Sequence, residues 1–185
     1  MSRIAAIETE NAQGKTAELL AAVKKMLGGT PNMFRTAAQA PAALEALVAL
    51  FGATAHGALR PKVREAIALA VAEANGCDYC LSAHSALGTG AGLTAGELTD
   101  ARAASAQDPK TNAILQFAKA LVLARGQVGQ GALNAVRNAG VSDPEVLEVV
   151  TNVALNVFTN YLNIVADTEI DFPVVRARDA IARAA

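Results

Sequence analysis

Both cysteines of the chain and one of its two histidines fall within ten residues, in the stretch NGCDYCLSAH at positions 75–84. Cys77 and Cys80 are three residues apart, and His84 follows Cys80 by four. Because residues three and four apart share a helix face, all three side chains can project from one side of a helix. Two thiols beside an imidazole can carry out thiol redox chemistry or bind a metal ion.

The position of these residues along the chain favours reactive thiols. Gly76 is typical of the residue that ends a helix, so a new helix is predicted to begin around Cys77. Unpaired N–H groups and the positive end of the helix dipole at such a position favour a thiolate over a thiol. A Cys-x-x-Cys pair there can also close into a disulfide with little backbone movement.

A carboxylate on the preceding helix is placed to join the thiols and the histidine. Glu65 lies eleven residues before Gly76, which is about 16 Å of helix, and His84 lies eight residues after it, about 12 Å. If the two helices fold back on each other, Glu65 and His84 are level to within about one turn. A carboxylate there can orient the imidazole and raise its basicity.

Other uses of the four residues are less favoured. A zinc site is chemically feasible, but structural zinc usually takes its ligand pairs from two separate knuckles rather than one helix face. Haem attachment needs the histidine directly after the second cysteine, where Leu81 stands. A thioredoxin-like motif needs βαβ units, which the sequence does not show. Cysteines that act only as small core residues would leave the joint spacing unexplained. We therefore expect no metal ion and no cofactor.

The remainder of the chain predicts an all-α, multi-helix bundle. Apolar residues recur at helical spacing, whereas strand alternation bounded by turns is hard to find. The absence of a low-complexity linker predicts a single domain over residues 1–185, with a basic tail after Pro173 that is helical again. Caps, prolines and glycines predict helices over 16–26, 41–56, 61–75, 77–87, from Thr94, over 108–124, within 131–140 and over 144–166.

Charge and hydropathy exclude several classes of partner. Sixteen basic and seventeen acidic residues are evenly spread, so nucleic acid is not expected as a partner. The N-terminus lacks the apolar core of a signal peptide, which predicts a cytoplasmic protein. Residues 149–166 carry no charge, but their four asparagines argue against a membrane span.

Those asparagines lie on one face of the last long helix, at spacings of four, four and three. Buried asparagine is costly unless it is hydrogen-bonded. The stripe is interpreted as a polar wall of the dithiol pocket, as a subunit seam, or as a set of internal structural hydrogen bonds. Its members are Asn152, Asn156, Asn160 and Asn163.

An internal echo involves two of these asparagines. Four residues repeat the spacing of Glu65, Cys77, Cys80 and His84 at an offset of 83. Either a diverged internal duplication or helical periodicity alone would produce this repeated spacing. They are Glu148, Asn160, Asn163 and Asp167.

The segment REAIALAVAEANGCDYCLSAH resembles the core motif of the alkyl hydroperoxidase D-like, or carboxymuconolactone decarboxylase-like, family. That motif is Glu, eleven residues, Cys-x-x-Cys, three residues, His. The resemblance extends over about residues 40–170, and VFTNYLNIVADTEIDFP resembles the late segment of the peroxidase-related branch. It implies the all-helical alkyl hydroperoxidase D-like fold, homo-oligomers, commonly trimers or hexamers, and thiol-dependent reduction of hydroperoxides.

By the same resemblance Cys80 is the peroxidatic thiol, Cys77 the resolving thiol, and His84 with Glu65 the proton relay. The residues alone leave the two thiols open, since Cys77 has the better helix-end position and Cys80 has the histidine at i+4. The implied substrate is a small hydroperoxide, and a lipoyl-bearing or thioredoxin-like dithiol would reopen the disulfide. Tyr79 stands where the family prototype has a histidine, which leaves the efficiency of the relay open.

Two alternatives remain beside the peroxidase. The chain could be a general thiol–disulfide oxidoreductase, or a redox-sensing module that uses the dithiol as a switch without peroxidase turnover. The decarboxylase branch of the family does not rely on the Cys-x-x-Cys, so the presence of that motif favours redox chemistry.

Overall fold

The computed structural model describes residues 2–178, and within this range the predicted all-α class is confirmed. These residues form nine α-helices and one three-residue 3-10 turn, with no β-strand. The helices are α1 (Gly14–Leu27), α2 (Asn32–Ala37), α3 (Pro41–Ala55), α4 (Pro61–Asn75), α5 (Asp78–Gly90), α6 (Ala95–Arg102), α7 (Pro109–Leu123), α8 (Gln130–Asn138) and α9 (Asp143–Ala166).

Local signals set most of the helix starts. Thr94 and Ser142 each form a capping box with the glutamate three residues later, at the starts of α6 and α9. Asp108 accepts a hydrogen bond from the N–H of Thr111 at 2.9 Å and so caps α7. Proline occupies the first turn of α3, α4, α7 and α9, where its missing N–H has no helical partner to lose.

Two segments differ from the prediction. The short helix α2 has no counterpart among the predicted helices, because its first amides are satisfied by distant residues: Asn32 N donates to Asp171 at 2.8 Å, and Met33 N donates to Tyr79 at 3.1 Å. The predicted helix in the tail is absent from residues 174–178, which run as irregular chain. The rest of that tail lies outside the described residues.

The central element is α4, which is buried along most of its length. Residues 66–72 are each at most 3% exposed, and the helix packs against α5, α6, α7 and α9. Four of those seven residues are alanines, which let neighbouring helices approach closely. Burial of each larger aliphatic side chain contributes about 1.5–3 kcal/mol. The helix that carries Glu65 is therefore held rigidly in the core.

Gly76 allows α4 and α5 to form a tight hairpin, and Gly88 allows α5 to pack closely against α6 and the loop before it. Gly76 has φ +67°, the left-handed conformation in which it ends α4, and its N–H bonds back to that helix. Gly88 lies in α5, where an added Cβ would come within 2.9 Å of the side chains of Leu93 and Leu98. A side chain at position 76 would strain the turn between the two helices that position the candidate site, and one at position 88 would displace Leu93 and Leu98.

The long helix α9 is apolar enough and long enough to cross a membrane by length and composition alone. Half of the most apolar 18-residue stretch of this helix is nevertheless buried inside the protein. It packs against α3, α4, α5 and α7 and forms part of the core of the fold.

Candidate active site

The two cysteines lie at the start of α5, as predicted. Cys77 is the N-cap residue, and its Sγ accepts a hydrogen bond from the N–H of Cys80 at 3.4 Å. Both cysteines are free thiols and both are buried, with 1% and 2% of their surface exposed. A reagent must therefore reach them through a cavity rather than from the open surface.

Glu65 and His84 are brought together across the hairpin, which confirms their predicted proximity. His84 Nδ1 and Glu65 Oε2 are 2.7 Å apart, and the two side chains are only 12% and 22% exposed. Burial by itself lowers the pKa of His84, but the negative charge of Glu65 and its hydrogen bond outweigh burial and raise it. Because its pKa is raised, His84 tends to carry a positive charge one helical turn from Cys80.

Cys80 is surrounded by groups that stabilise a thiolate. The Nδ2 of Asn163 donates to Cys80 Sγ at 3.3 Å. Burial raises the pKa of Cys80, whereas the neighbouring polar groups of Cys77, Asn163 and Asn160 and the positive charge of His84 lower it, with a net result of about 7. An ordinary thiol has a pKa of about 8.5. Cys80 is thus substantially ionised at neutral pH.

The pKa of Cys77 is shifted in the opposite direction to that of Cys80. Its hydrogen bond with the Cys80 sulfur raises its pKa, and burial raises it further. A negative charge on Cys80 disfavours a second negative charge on Cys77, so Cys77 keeps its proton while Cys80 is ionised. This electrostatic asymmetry favours Cys80 as the nucleophile, a distinction that the sequence spacing left open.

The asparagine stripe divides into two pairs. Asn152 and Asn156 donate to the carbonyls four residues earlier in α9, at 2.8 Å each, and so make internal structural bonds. Asn160 accepts a hydrogen bond from Asn75 Nδ2 at 2.8 Å. Asn160 and Asn163 both lower the pKa of Cys80. The stripe is therefore half structural and half a wall of the thiol site.

The contact between Asn163 and Cys80 joins two positions that the internal echo aligns at an offset of 83. Glu148, the counterpart of Glu65, accepts instead from the backbone N–H groups of Ala58 and Leu59. The sequence identified the asparagines and the echo but could not tell which amides reach a thiol.

Tyr79, which replaces the histidine of the family prototype, serves as an anchor. Its hydroxyl donates to Asp171 Oδ1 at 2.8 Å and accepts from Met33 N at 3.1 Å, while its ring makes an edge contact with Phe172. Burial raises the pKa of Tyr79, and the nearby Asp171 adds to this effect. The hydroxyl therefore stays protonated and ties α2 and the segment after α9 to α5.

The segment after α9 also binds the first turns of α5. Asp78 accepts from Ala177 N at 2.9 Å and from Arg176 Nη1 at 2.8 Å. Ser82 Oγ accepts from Val175 N at 2.9 Å. Asp78, between the cysteines, and Ser82, two residues after Cys80, thus hold residues 175–177 against the first turns of α5.

Cavities meet the dithiol from two sides. The apolar cavity, of about 110 Å³, is lined by Cys80 and His84 together with mainly apolar side chains, which include Phe34, Phe51 and Phe172. The polar cavity, of about 350 Å³, is lined by Cys77 and Asn163 together with two arginines and two aspartates, which are Arg3, Arg176, Asp78 and Asp167. Each thiol therefore faces its own cavity.

Other parts of the described chain offer less chemistry. A cavity of about 260 Å³ between α4, α6 and α7 contains neither thiol nor histidine. No group of three or more His, Cys, Asp or Glu side chains in residues 2–178 is arranged to hold a metal ion.

Comparison with known proteins supports the fold and the family resemblance. Residues 41–123 match the family described as the carboxymuconolactone decarboxylase family, a shorter range than the predicted 40–170. No curated protein matches the chain significantly.

The fold is shared with solved structures at low sequence identity. A peroxidase-related protein with the alkylhydroperoxidase AhpD core from Ralstonia eutropha JMP134 is 24% identical with a TM-score of 0.82, and 92% of each chain is covered. A peroxidase-related protein from Silicibacter sp. TM1040 is 20% identical with a TM-score of 0.75, over 90% of this chain and 91% of that one. The debrominase Bmp8 is 21% identical with a TM-score of 0.78, over 91% of each chain.

Proposed function

The chain resembles the carboxymuconolactone decarboxylase family and has the alkyl hydroperoxidase D-like fold, and on this basis we propose that it reduces small hydroperoxides with its dithiol. The single observation that carries the proposal is the environment of Cys80. This buried sulfur, with a pKa of about 7, faces a cavity beside a histidine and accepts a hydrogen bond from the amide of Asn163. Such an environment is that of a reactive rather than a structural cysteine.

The first step of the reaction is attack by the Cys80 thiolate on the terminal oxygen of the hydroperoxide. The O–O bond breaks, the sulfur becomes a sulfenic acid, and the leaving alkoxide takes a proton to give an alcohol. His84, which lines the same cavity as Cys80, donates that proton. Glu65 orients the ring and raises its pKa so that the proton is available at neutral pH.

The second step closes the disulfide. Cys77 attacks the sulfur of the Cys80 sulfenic acid, the S–O bond breaks, and hydroxide leaves as water with the proton that Cys77 gives up. The Sγ of Cys77 is already oriented towards the first turn of α5, so the pair requires little movement. One hydroperoxide thus consumes both thiols, and an external dithiol must restore them.

The cavity at Cys80 favours a small, apolar peroxide. Its volume of about 110 Å³ is below the roughly 150 Å³ of a cavity that binds benzene. Leu27 and Leu87 contribute to the lining and are about two-fifths exposed, so they lie near its mouth. The hydrocarbon part next to the peroxide is therefore short, or extends past these leucines into solvent.

The partners belong to the same proposal. A lipoyl-bearing or thioredoxin-like dithiol serves as reductant, and the protein acts in the cytoplasm as a trimer or hexamer. Exposed apolar side chains along α9, namely Leu147, Tyr161 and Val165, support self-association because each exposes more than half of its surface. Sedimentation at micromolar concentration tests the oligomer, and a monomer would remove that part of the proposal.

A peroxide-consumption assay with dithiothreitol as reductant tests the function. The wild type consumes hydroperoxide, Cys80→Ser abolishes turnover, and Cys77→Ser turns over more slowly than the wild type, because dithiothreitol must then reduce the Cys80 sulfenic acid directly. A matched Ser85→Ala variant, changed next to His84 at a position that carries no part of the mechanism, keeps the wild-type rate. If both cysteine variants consume hydroperoxide like the wild type, the thiol peroxidase proposal is wrong.

The alternatives from the sequence give a different result in the same assay. A thiol–disulfide oxidoreductase or a redox switch would form the 77–80 disulfide with a general oxidant but would not turn over hydroperoxide. This outcome would replace the peroxidase with one of those two functions, and exchange with an added disulfide substrate would separate them.

A second candidate reaction is reductive dehalogenation of a small aromatic ring. One solved structure of similar fold is a debrominase in complex with 2,3,4-tribromopyrrole. The apolar cavity here has aromatic side chains next to Cys80, and a dithiol supplies the two electrons that replace a carbon–halogen bond with a carbon–hydrogen bond. Halide release from a bromopyrrole, absent in Cys80→Ser, would support this reaction, and its absence in the wild type would exclude it.

A further inference from the structure

The dithiol stands between cavities of contrasting chemistry. Cys80 lines the apolar cavity with His84, and Cys77 lines the polar cavity at the start of α5. Neither thiol exposes more than 2% of its surface, so each is reached only from its own side. We propose that the two half-reactions use different cavities. The hydroperoxide reacts with Cys80 in the apolar cavity, whereas the external dithiol reductant enters the polar cavity and attacks Sγ of Cys77.

Leaving-group chemistry supports attack at Cys77. When a thiolate opens a disulfide, the sulfur that is not attacked leaves, and the sulfur with the lower pKa leaves faster. Cys80 is that sulfur, because Asn163, Asn160 and His84 stabilise its thiolate. Attack at Cys80 would instead expel Cys77, whose pKa is raised.

The exchange balances without any further reactant. The reductant's thiolate bonds to Cys77 Sγ, the S–S bond breaks, and its electron pair passes to Cys80 as a thiolate. The second thiol of the reductant then attacks the reductant's own sulfur in the mixed disulfide, the bond to Cys77 breaks, and the reductant leaves as an internal disulfide. Cys77 is released as a thiolate and takes up the proton lost from that second thiol.

The sizes and linings of the cavities agree with this division. The polar cavity is about three times as large, 350 against 110 Å³, and charged side chains surround it. A dithiol reductant brings polar groups and two sulfurs, which suit the larger and more polar space. A small apolar peroxide suits the other, where displacement of water by an apolar group is favourable.

Two matched substitutions test the proposal, which rests on the peroxidase function. Ile164 lines the polar cavity and Leu87 the apolar cavity, and their exposures of 42% and 43% mean that a larger side chain can be placed at either without overpacking the core. Val150, 40% exposed on α9 and outside both linings, is the control. Each is changed to tryptophan.

The two half-reactions are measured separately by stopped flow. One is oxidation of the reduced protein by hydroperoxide, and the other is reduction by dithiothreitol of the 77–80 disulfide preformed with diamide. Ile164→Trp slows reduction about tenfold and leaves oxidation unchanged, Leu87→Trp does the reverse, and Val150→Trp changes neither. The proposal is overturned if Ile164→Trp leaves reduction at the wild-type rate or if Leu87→Trp slows reduction as much as oxidation.

The attacked sulfur is identified directly with a monothiol. Glutathione is added to the preformed disulfide, the reaction is quenched in acid, and peptide mapping locates the adduct. Glutathione on Cys77 supports the proposal, and glutathione on Cys80 contradicts it. Because diamide forms the disulfide, this result is independent of peroxide. If the wild type fails to react with hydroperoxide, the peroxidase function is refuted, but the position of the adduct still shows which sulfur the reductant attacks.

Discussion

Replacement of Asn163 with leucine removes one amide donor from Cys80 while it fills a similar volume. The hydrogen bond from Asn163 Nδ2 to Cys80 Sγ is 3.3 Å long, and Asn163 is 3% exposed. A hydrogen bond to a charged group contributes about 1.5–3 kcal/mol, and the long sulfur contact belongs near the lower end. Since about 1.4 kcal/mol corresponds to one pKa unit, the pKa of Cys80 rises by about one unit in the variant.

The assay is the pH dependence of alkylation of Cys80 by iodoacetamide. A rise from about 7 to about 8 lowers the thiolate fraction at neutral pH about fivefold, and the alkylation rate falls with it. Asn156→Leu is the matched control, because Asn156 is also buried on α9 but donates within its own helix. An unchanged alkylation midpoint in Asn163→Leu, or an equal shift in Asn156→Leu, would refute this account of the thiolate.

The remaining predictions concern the relay and the anchor. Glu65→Gln removes the charge that raises the pKa of His84, so hydroperoxide turnover falls about a hundredfold in steady-state kinetics while the fold is kept; wild-type turnover would contradict the relay. Tyr79→Phe leaves the buried N–H of Met33 unpaired and lowers the free energy of unfolding by about 1–3 kcal/mol in urea denaturation. The rate per folded molecule stays within about twofold in that variant, and a larger loss would mean that Tyr79 takes part in proton transfer.

The sequence predicted the hairpin site well because rigid geometry governs it. Helical rise fixes how far Glu65 and His84 stand from Gly76, so their proximity required only that the two helices pack. That prediction is confirmed by the 2.7 Å contact between their side chains. The caps of α6, α7 and α9 were predictable for a similar reason, since each is set within one turn of its own helix.

The sequence did not predict features that depend on contacts between residues far apart in the chain. The helix α2 has only six residues and is too short to be marked by apolar periodicity; its first amides bond to Tyr79 and Asp171. The protonation of the thiols depends on Asn163, 83 residues from Cys80, and the register of α9 against α5 is decided by packing. Helix-end position favoured Cys77 as the thiolate, but the amides and the imidazole around Cys80 outweigh it.

The central claim is that Cys80, rather than Cys77, is the ionised thiol at neutral pH. Limited alkylation of the reduced wild-type protein across a pH series, followed by fragmentation of the peptide that contains both cysteines, measures this directly. The account predicts that the label appears on Cys80 first and that its rate rises through a midpoint near pH 7. Label that appears first on Cys77, or a midpoint no lower than the value of about 8.5 for an ordinary thiol, would contradict it.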